Sequence, residues 1–113
     1  MVAIAERTKT VEVYVSAAEK AQVQEFAART GQTVRSIVDR WLSPHLQRIA
    51  RQHHSRWIAP AVRPLPRVRL SRHEIPLQVF QIVRLESARR HLTLPGLLYA
   101  MIAPQFRQVD RNR

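Results

Sequence analysis

Residues 93–104 (T-L-P-G-L-L-Y-A-M-I-A-P) repeat the apolar pattern of residues 33–44 (T-V-R-S-I-V-D-R-W-L-S-P) position for position, at a constant offset of sixty. In the first copy Val34, Ile37, Val38, Trp41 and Leu42 fall at the spacing of one buried helix face, and Thr33 stands ready as an N-cap. A chain that carries such a segment twice is constrained to fold as two related halves. What precedes each segment decides what the halves are.

Upstream of the first segment, T10-V-E-V-Y-V-S16 alternates strictly, with Val11, Val13 and Val15 on one face and Thr10, Glu12 and Tyr14 on the other. That period of two predicts a half-buried strand. S16-A-A-E19 is a capping box, in which the Ser16 hydroxyl takes the Glu19 amide and the Glu19 carboxylate takes the Ser16 amide. A helix therefore starts at Ala17, and Gly31 ends it in the left-handed conformation. The order is strand, helix, glycine turn, helix, with Ser43-Pro44 interrupting or re-capping the second helix and an amphipathic pattern running on to about Trp57. Three prolines in A-P-A-V-R-P-L-P then mark residues 58–66 as a linker.

Beyond the linker, R67-V-R-L70 alternates as the first strand does, and S71-R-H-E74 has the form of a second capping box. Matched in this way the strands lie fifty-five residues apart, which leaves five extra residues in the second half, assigned to a turn at Arg72 to Ile75 because Pro76 does not suit a helix interior. A long amphipathic helix from about Pro76 to Arg90 and the repeated segment complete the half. The expected organisation is one compact domain over residues 1–113: a first unit at 9–57, a linker at 58–66, a second unit at 67–104 and a frayed basic tail at 105–113. The fold class is mainly α with a short two-stranded antiparallel β-ribbon. One strand with two helices buries too little to be stable alone, so each unit needs a partner, either the other unit in a monomeric pseudo-dimer or its like in the second chain of a homodimer.

Charge narrows the function. Nineteen Lys and Arg against eight Asp and Glu give +11, with a pI near 11.7, which makes a polyanion the first partner to expect. Seventeen of the nineteen are arginine, which favours forked contacts to phosphate and guanine over a diffuse ammonium cloud. With 45% hydrophobic residues the charge rides on something folded. The absence of cysteine excludes disulfides, thiolate metal sites and a cysteine nucleophile, and points to the cytoplasm. The N-terminal ten residues lack the apolar core of a secretory signal, and the longest apolar run, Leu97 to Ala103, is too short to span a bilayer. No catalytic constellation is expected: two glycines make no phosphate loop, no serine or threonine stands beside a plausible His and Asp pair, and no cofactor or metal is implied. His53-His54 has no carboxylate or cysteine near it to complete a metal shell.

The first half, V11-E-V-Y-V-S16 followed by G31-Q-T-V-R-S-I37, resembles the ribbon-helix-helix family of DNA-binding proteins. The second half resembles it less, with Pro66 where Val11 stood and His91 where Gly31 stood. The resemblance implies that two copies pair their strands into one ribbon that enters the DNA major groove. Two copies in one chain look like the tandem, pseudo-dimeric form found in accessory proteins of conjugal or plasmid DNA transfer, with transcriptional regulation the other process expected. Carried onto this chain, Thr10, Glu12, Tyr14, Arg67 and Arg69 become base-reading positions. Lys9, Thr33, Val34 and Arg35, with Arg89, Arg90 and Thr93 in the second half, become phosphate-binding positions, those at Thr33 to Arg35 and at Thr93 being helix N-termini, the second weakened because Pro95 lacks an amide. Solvated strand faces and plain helix caps explain the same residues without DNA.

Two other classes compete. Charge alone also suits an RNA-binding protein, against which stands an aromatic content of only 6%. A protein-interaction module, such as an antitoxin or a secretion-complex adaptor, would use Trp57 and the apolar helix faces.

Overall fold

The computed structural model describes residues 7–51 and 68–111. Two strands, β1 (Thr8–Val15) and β2 (Val68–Pro76), form one antiparallel ribbon, and four helices cover one of its faces: α1 (Ala17–Thr30), α2 (Val34–Arg51), α3 (Leu77–Arg89) and α4 (Leu94–Arg111). The linker expected at 58–66, together with Arg67, lies outside the described residues.

Burial follows the alternation of β1. Val11, Val13 and Val15 are buried, while Thr8, Lys9 and Thr10 are exposed and Glu12 and Tyr14 half-buried. The core beneath is completed by Val23 and Ala27 of α1, Ile37, Val38 and Leu42 of α2, Val83 of α3, and Leu97, Leu98, Met101 and Ile102 of α4. The helices cross over between the halves. Helix α2 packs on β2 and α3, and α4 packs on β1 and α1, so each half's last helix covers the other half's strand.

The capping box at Ser16 forms, with the Glu19 amide donating to Ser16 Oγ (3.1 Å) and the Ser16 amide to Glu19 Oε1 (2.9 Å). At the far end of α1, Gly31 is left-handed (φ 70°), its amide donates to the Ala27 carbonyl, and so does that of Gln32 (3.0 Å). The end of α3 is built alike: His91 takes φ 57°, its amide donates to Ala88 O (3.1 Å) and that of Leu92 to Ser87 O (2.9 Å). A left-handed cap therefore stands at the same place in both halves, glycine in one and histidine in the other.

The second strand corrects three expectations. Ser71, Arg72, His73 and Glu74 belong to β2, which runs to Pro76, so there is neither a second capping box nor a turn at 72–75. Pairing with β1 extends from Val15↔Val68 to Thr8↔Pro76, and this ladder outweighs the one or two hydrogen bonds of a local cap. Pro76 then serves as the N-cap of α3 with no side-chain bond, and the Leu77 amide is satisfied by the Arg7 carbonyl (2.9 Å) as the ladder continues. With α1 starting at 17 and α3 at 77, and α2 at 34 and α4 at 94, a single offset of sixty relates all four helices, and the five extra residues disappear.

Neither last helix breaks at its proline. Both α2 and α4 continue through an internal proline, Pro44 and Pro104, although each lacks an amide for the turn before it. Apolar burial beyond the break holds them: Ile49 in α2, and Phe106 and Val109 in α4, are buried. Most of the supposed tail at 105–113 is thus the last turns of α4.

The two left-handed caps predict opposite responses. A Cβ at Gly31 would meet nothing within 4 Å, so Gly31→Ala should cost only the backbone strain, about 1 kcal/mol. His91→Gly should stabilise by about 0.5 kcal/mol, the relief of strain being partly cancelled by a freer unfolded chain. Urea denaturation of both variants checks the pair.

Candidate nucleic-acid interface

The ribbon's outer face is set by a bulge. Val13 pairs with Ser71 but Tyr14 pairs with Arg69, so Leu70 has no partner across the ribbon. The extra residue shifts the alternation of β2 by one. Val68 and Arg69 keep the phase expected from the sequence, with Arg69 outward, and beyond Leu70 the order becomes Ser71 inward, Arg72 outward, His73 inward, Glu74 outward, Ile75 inward. Without the bulge Arg72 would point into the core.

The outer face accordingly holds Thr10, Glu12 and Tyr14 from β1, as expected, facing Glu74, Arg72 and Arg69 from β2 in that order. Glu12 is its hub. It accepts the Tyr14 hydroxyl at 2.6 Å and faces Arg72 Nε at 3.4 Å and Arg69 Nη1 at 3.9 Å. The Tyr14 hydrogen bond above all, then the two guanidinium groups, hold the Glu12 carboxyl below the usual range against the opposing effect of burial. The same bond, with some burial, raises the Tyr14 phenol. Among the described residues two arginines and two glutamates leave this face with no net charge, and what it presents is a row of directional hydrogen-bonding groups. Arg72, missing from the sequence-based set, occupies the place opposite Glu12.

The expected phosphate positions are distributed. Lys9 lies at the ribbon's end on the helix-facing side, its ammonium 5.8 Å from the Phe80 ring centroid. Thr33 and Thr93 cap α2 and α4 in the same way, each accepting an amide at 3.1 Å, from Ser36 and Gly96. Val34 is half-buried against the core and Arg35 is exposed in the first turn of α2, where backbone amides have no acceptor within the helix. Arg89, exposed, and Arg90, half-buried, flank a buried carboxylate: Glu86, only 5% exposed, accepts Arg90 Nε at 2.6 Å and lies 3.6 Å from Arg89 Nη2.

One constellation runs against the sequence-based expectation. Ser71, His73 and Asp39 are brought together: Ser71 Oγ lies 2.6 Å from His73 Nε2, and His73 Nδ1 is hydrogen-bonded to Asp39 Oδ1. His73 is 1% exposed, beneath the ribbon, and both ring nitrogens are occupied. The arrangement satisfies a buried imidazole and ties β2 to α2. A strand carried on to Pro76 at the constant offset would have shown both Arg72 and His73, since Ser16 and Pro76 are then equivalent. Among the described residues no group of three or more His, Asp or Glu could hold a metal ion, and no helix is long and apolar enough to cross a membrane. His53-His54 lies outside them.

Two measurements test these contacts. Arg90→Ala should cost about 3 kcal/mol by leaving Glu86 buried without its nearest cation, whereas Arg89→Ala, at a 57% exposed side chain, should cost less than about 1 kcal/mol. Because Glu12 titrates below its ordinary 4.5 in the folded chain, its stabilisation is complete above that value and is lost as pH falls through the lowered one. Tyr14→Phe should move the Glu12 midpoint, followed by carboxyl NMR, back toward 4.5.

No known protein family, curated protein or solved structure matches the chain.

Proposed function

We propose that the chain is a tandem ribbon-helix-helix protein whose halves pair as a pseudo-dimer and that it binds duplex DNA by laying the ribbon in the major groove. The observation that carries this reading is the ribbon itself: two antiparallel strands, with all four described helices on one face and a row of Thr10, Glu12, Tyr14, Arg69 and Arg72 on the other. Such a row suits base edges, with the arginines for guanine O6 and N7 and Glu12 for cytosine N4. The net charge of +11 supplies the attraction to phosphate that the neutral outer face lacks. Arg35 and the first turn of α2 are suited to a flanking phosphate, and Thr93 begins the weaker equivalent at α4.

The constant offset of sixty and the crossed packing of α2 and α4 support the pseudo-dimer. Glu12 then faces Arg72, its own counterpart, at the middle of the ribbon. A palindrome would be met by like residues there, so an asymmetric DNA site is the target. The role that fits is an accessory protein of conjugal or plasmid DNA transfer, or a transcriptional regulator.

Binding to randomised duplexes tests the reading. Arg69→Ala and Arg72→Ala should each cost ~1–3 kcal/mol and relax preference at one position. Arg35→Ala should weaken all sequences alike and shallow the salt dependence by about one phosphate. Affinity lost from the ribbon variants with unchanged preference would overturn base reading, and stronger binding of single-stranded RNA than of duplex DNA would overturn the choice of partner.

A further inference from the structure

The central pair of the ribbon is the one place where the two halves meet residue for equivalent residue. Glu12 lies directly opposite Arg72, sixty residues on, and the helices of the two halves are related by that same offset. Their side chains are arranged as one unit. Arg72 Nε stands 3.4 Å from Glu12 Oε1, and the Tyr14 hydroxyl donates to Glu12 Oε2 at 2.6 Å. With Nε turned toward the carboxylate, the two terminal nitrogens of Arg72 form a fork at the end of a side chain that is 61% exposed. A carboxylate has about four lone-pair sites, so Glu12 keeps acceptor capacity after Tyr14 and Arg72 are served. Across the ribbon the pair therefore offers two donors and then an acceptor.

One base pair presents the complement of that row in the major groove. In G·C the guanine N7 and O6 accept and the neighbouring cytosine N4 donates. An A·T pair puts a donor, adenine N6, where O6 would be, and the inverted C·G pair presents the same groups in the opposite order. Spacing keeps the neighbours out of this contact. Residues directly opposite in an antiparallel ribbon lie about 5 Å apart, at one level along it, whereas Arg69, opposite Tyr14, stands two residues of β1 away. That is ~7 Å along the strand, or about two base steps of ~3.4 Å.

We propose that Glu12 and Arg72 read a single G·C base pair together, Arg72 forking onto the guanine and Glu12 accepting from the cytosine paired with it, and that Tyr14 is the positioning residue that holds the carboxylate for this contact. The inference rests on the ribbon lying in the major groove, and it adds the identity and the orientation of one base pair at the centre of the site. Orientation is what the unlike pair supplies: turning the duplex round would set Arg72 against cytosine N4 and Glu12 against guanine O6, donor against donor and acceptor against acceptor.

The test is selection by the full chain from a pool of fully randomised duplexes, followed by competition binding on every single-base-pair variant of the selected duplex. One position should be G·C, favoured about tenfold or more over C·G, A·T and T·A. Arg72→Ala and Glu12→Ala should both flatten the preference at that same position, and Tyr14→Phe should weaken it there in part. Arg69→Ala should leave it sharp and flatten a different position. Exchanging the charges, Glu12→Arg together with Arg72→Glu, should make the inverted C·G pair the favoured one, and if that variant does not fold the single substitutions decide. Should Glu12→Ala and Arg72→Ala flatten two different positions, or none, in a chain that still selects a duplex, the shared base pair is overturned and major-groove binding stands. If no duplex is enriched from the pool, the DNA-binding reading falls and this inference falls with it.

Discussion

Everything in this fold depends on the pairing of β1 with β2. Neither strand has another neighbour among the described residues, and a two-stranded ribbon is stable only when one face is covered. The valines of β1 meet α4 while β2 meets α2, so covering the ribbon and joining the halves are a single event. A half that folded first would expose both the unpaired edge of its strand and the apolar face of its second helix.

The bulge at Leu70 turns that pairing into a surface. Shifting one strand's alternation by a single residue exchanges its inner and outer sides. It places Arg72 beside Glu12 on the open side and delivers His73 and Ile75 to the core, where an unshifted strand would have buried a guanidinium. The buried histidine then needs partners, and Ser71 two residues away and Asp39 on α2 provide them. The outer row and the buried latch are two products of one inserted residue.

Local signals in the sequence were enough to read β1, the capping box at Ser16, the left-handed Gly31 and the start of α2, because each depends on residues a few places apart. The second half was harder. S71-R-H-E74 satisfies a local rule for a helix start, and only the distant presence of β1 makes it strand. The contact between His73 and Asp39 joins residues thirty-four apart, and nothing in either neighbourhood announces it. The pairing of Arg90 with Glu86 was not legible either, because the burial of Glu86 comes from packing. The prolines in α2 and α4 read as stops by local rules, and long-range burial of Ile49, Phe106 and Val109 carries the helices past them. Of the candidate site, Thr10, Glu12, Tyr14 and Arg69 were legible from alternation alone, whereas Arg72 required the register.

The meeting of Glu12 with Arg72 also governs the choice of mate. Were two chains to associate first half with first half, the middle of the ribbon would set Glu12 against another Glu12, and second half with second half would set Arg72 against Arg72. Like charges directly opposite in an antiparallel pair repel, while the unlike pair attracts. A small inequality at the centre of the ribbon thus favours the pairing of unlike strands over the pairing of like ones.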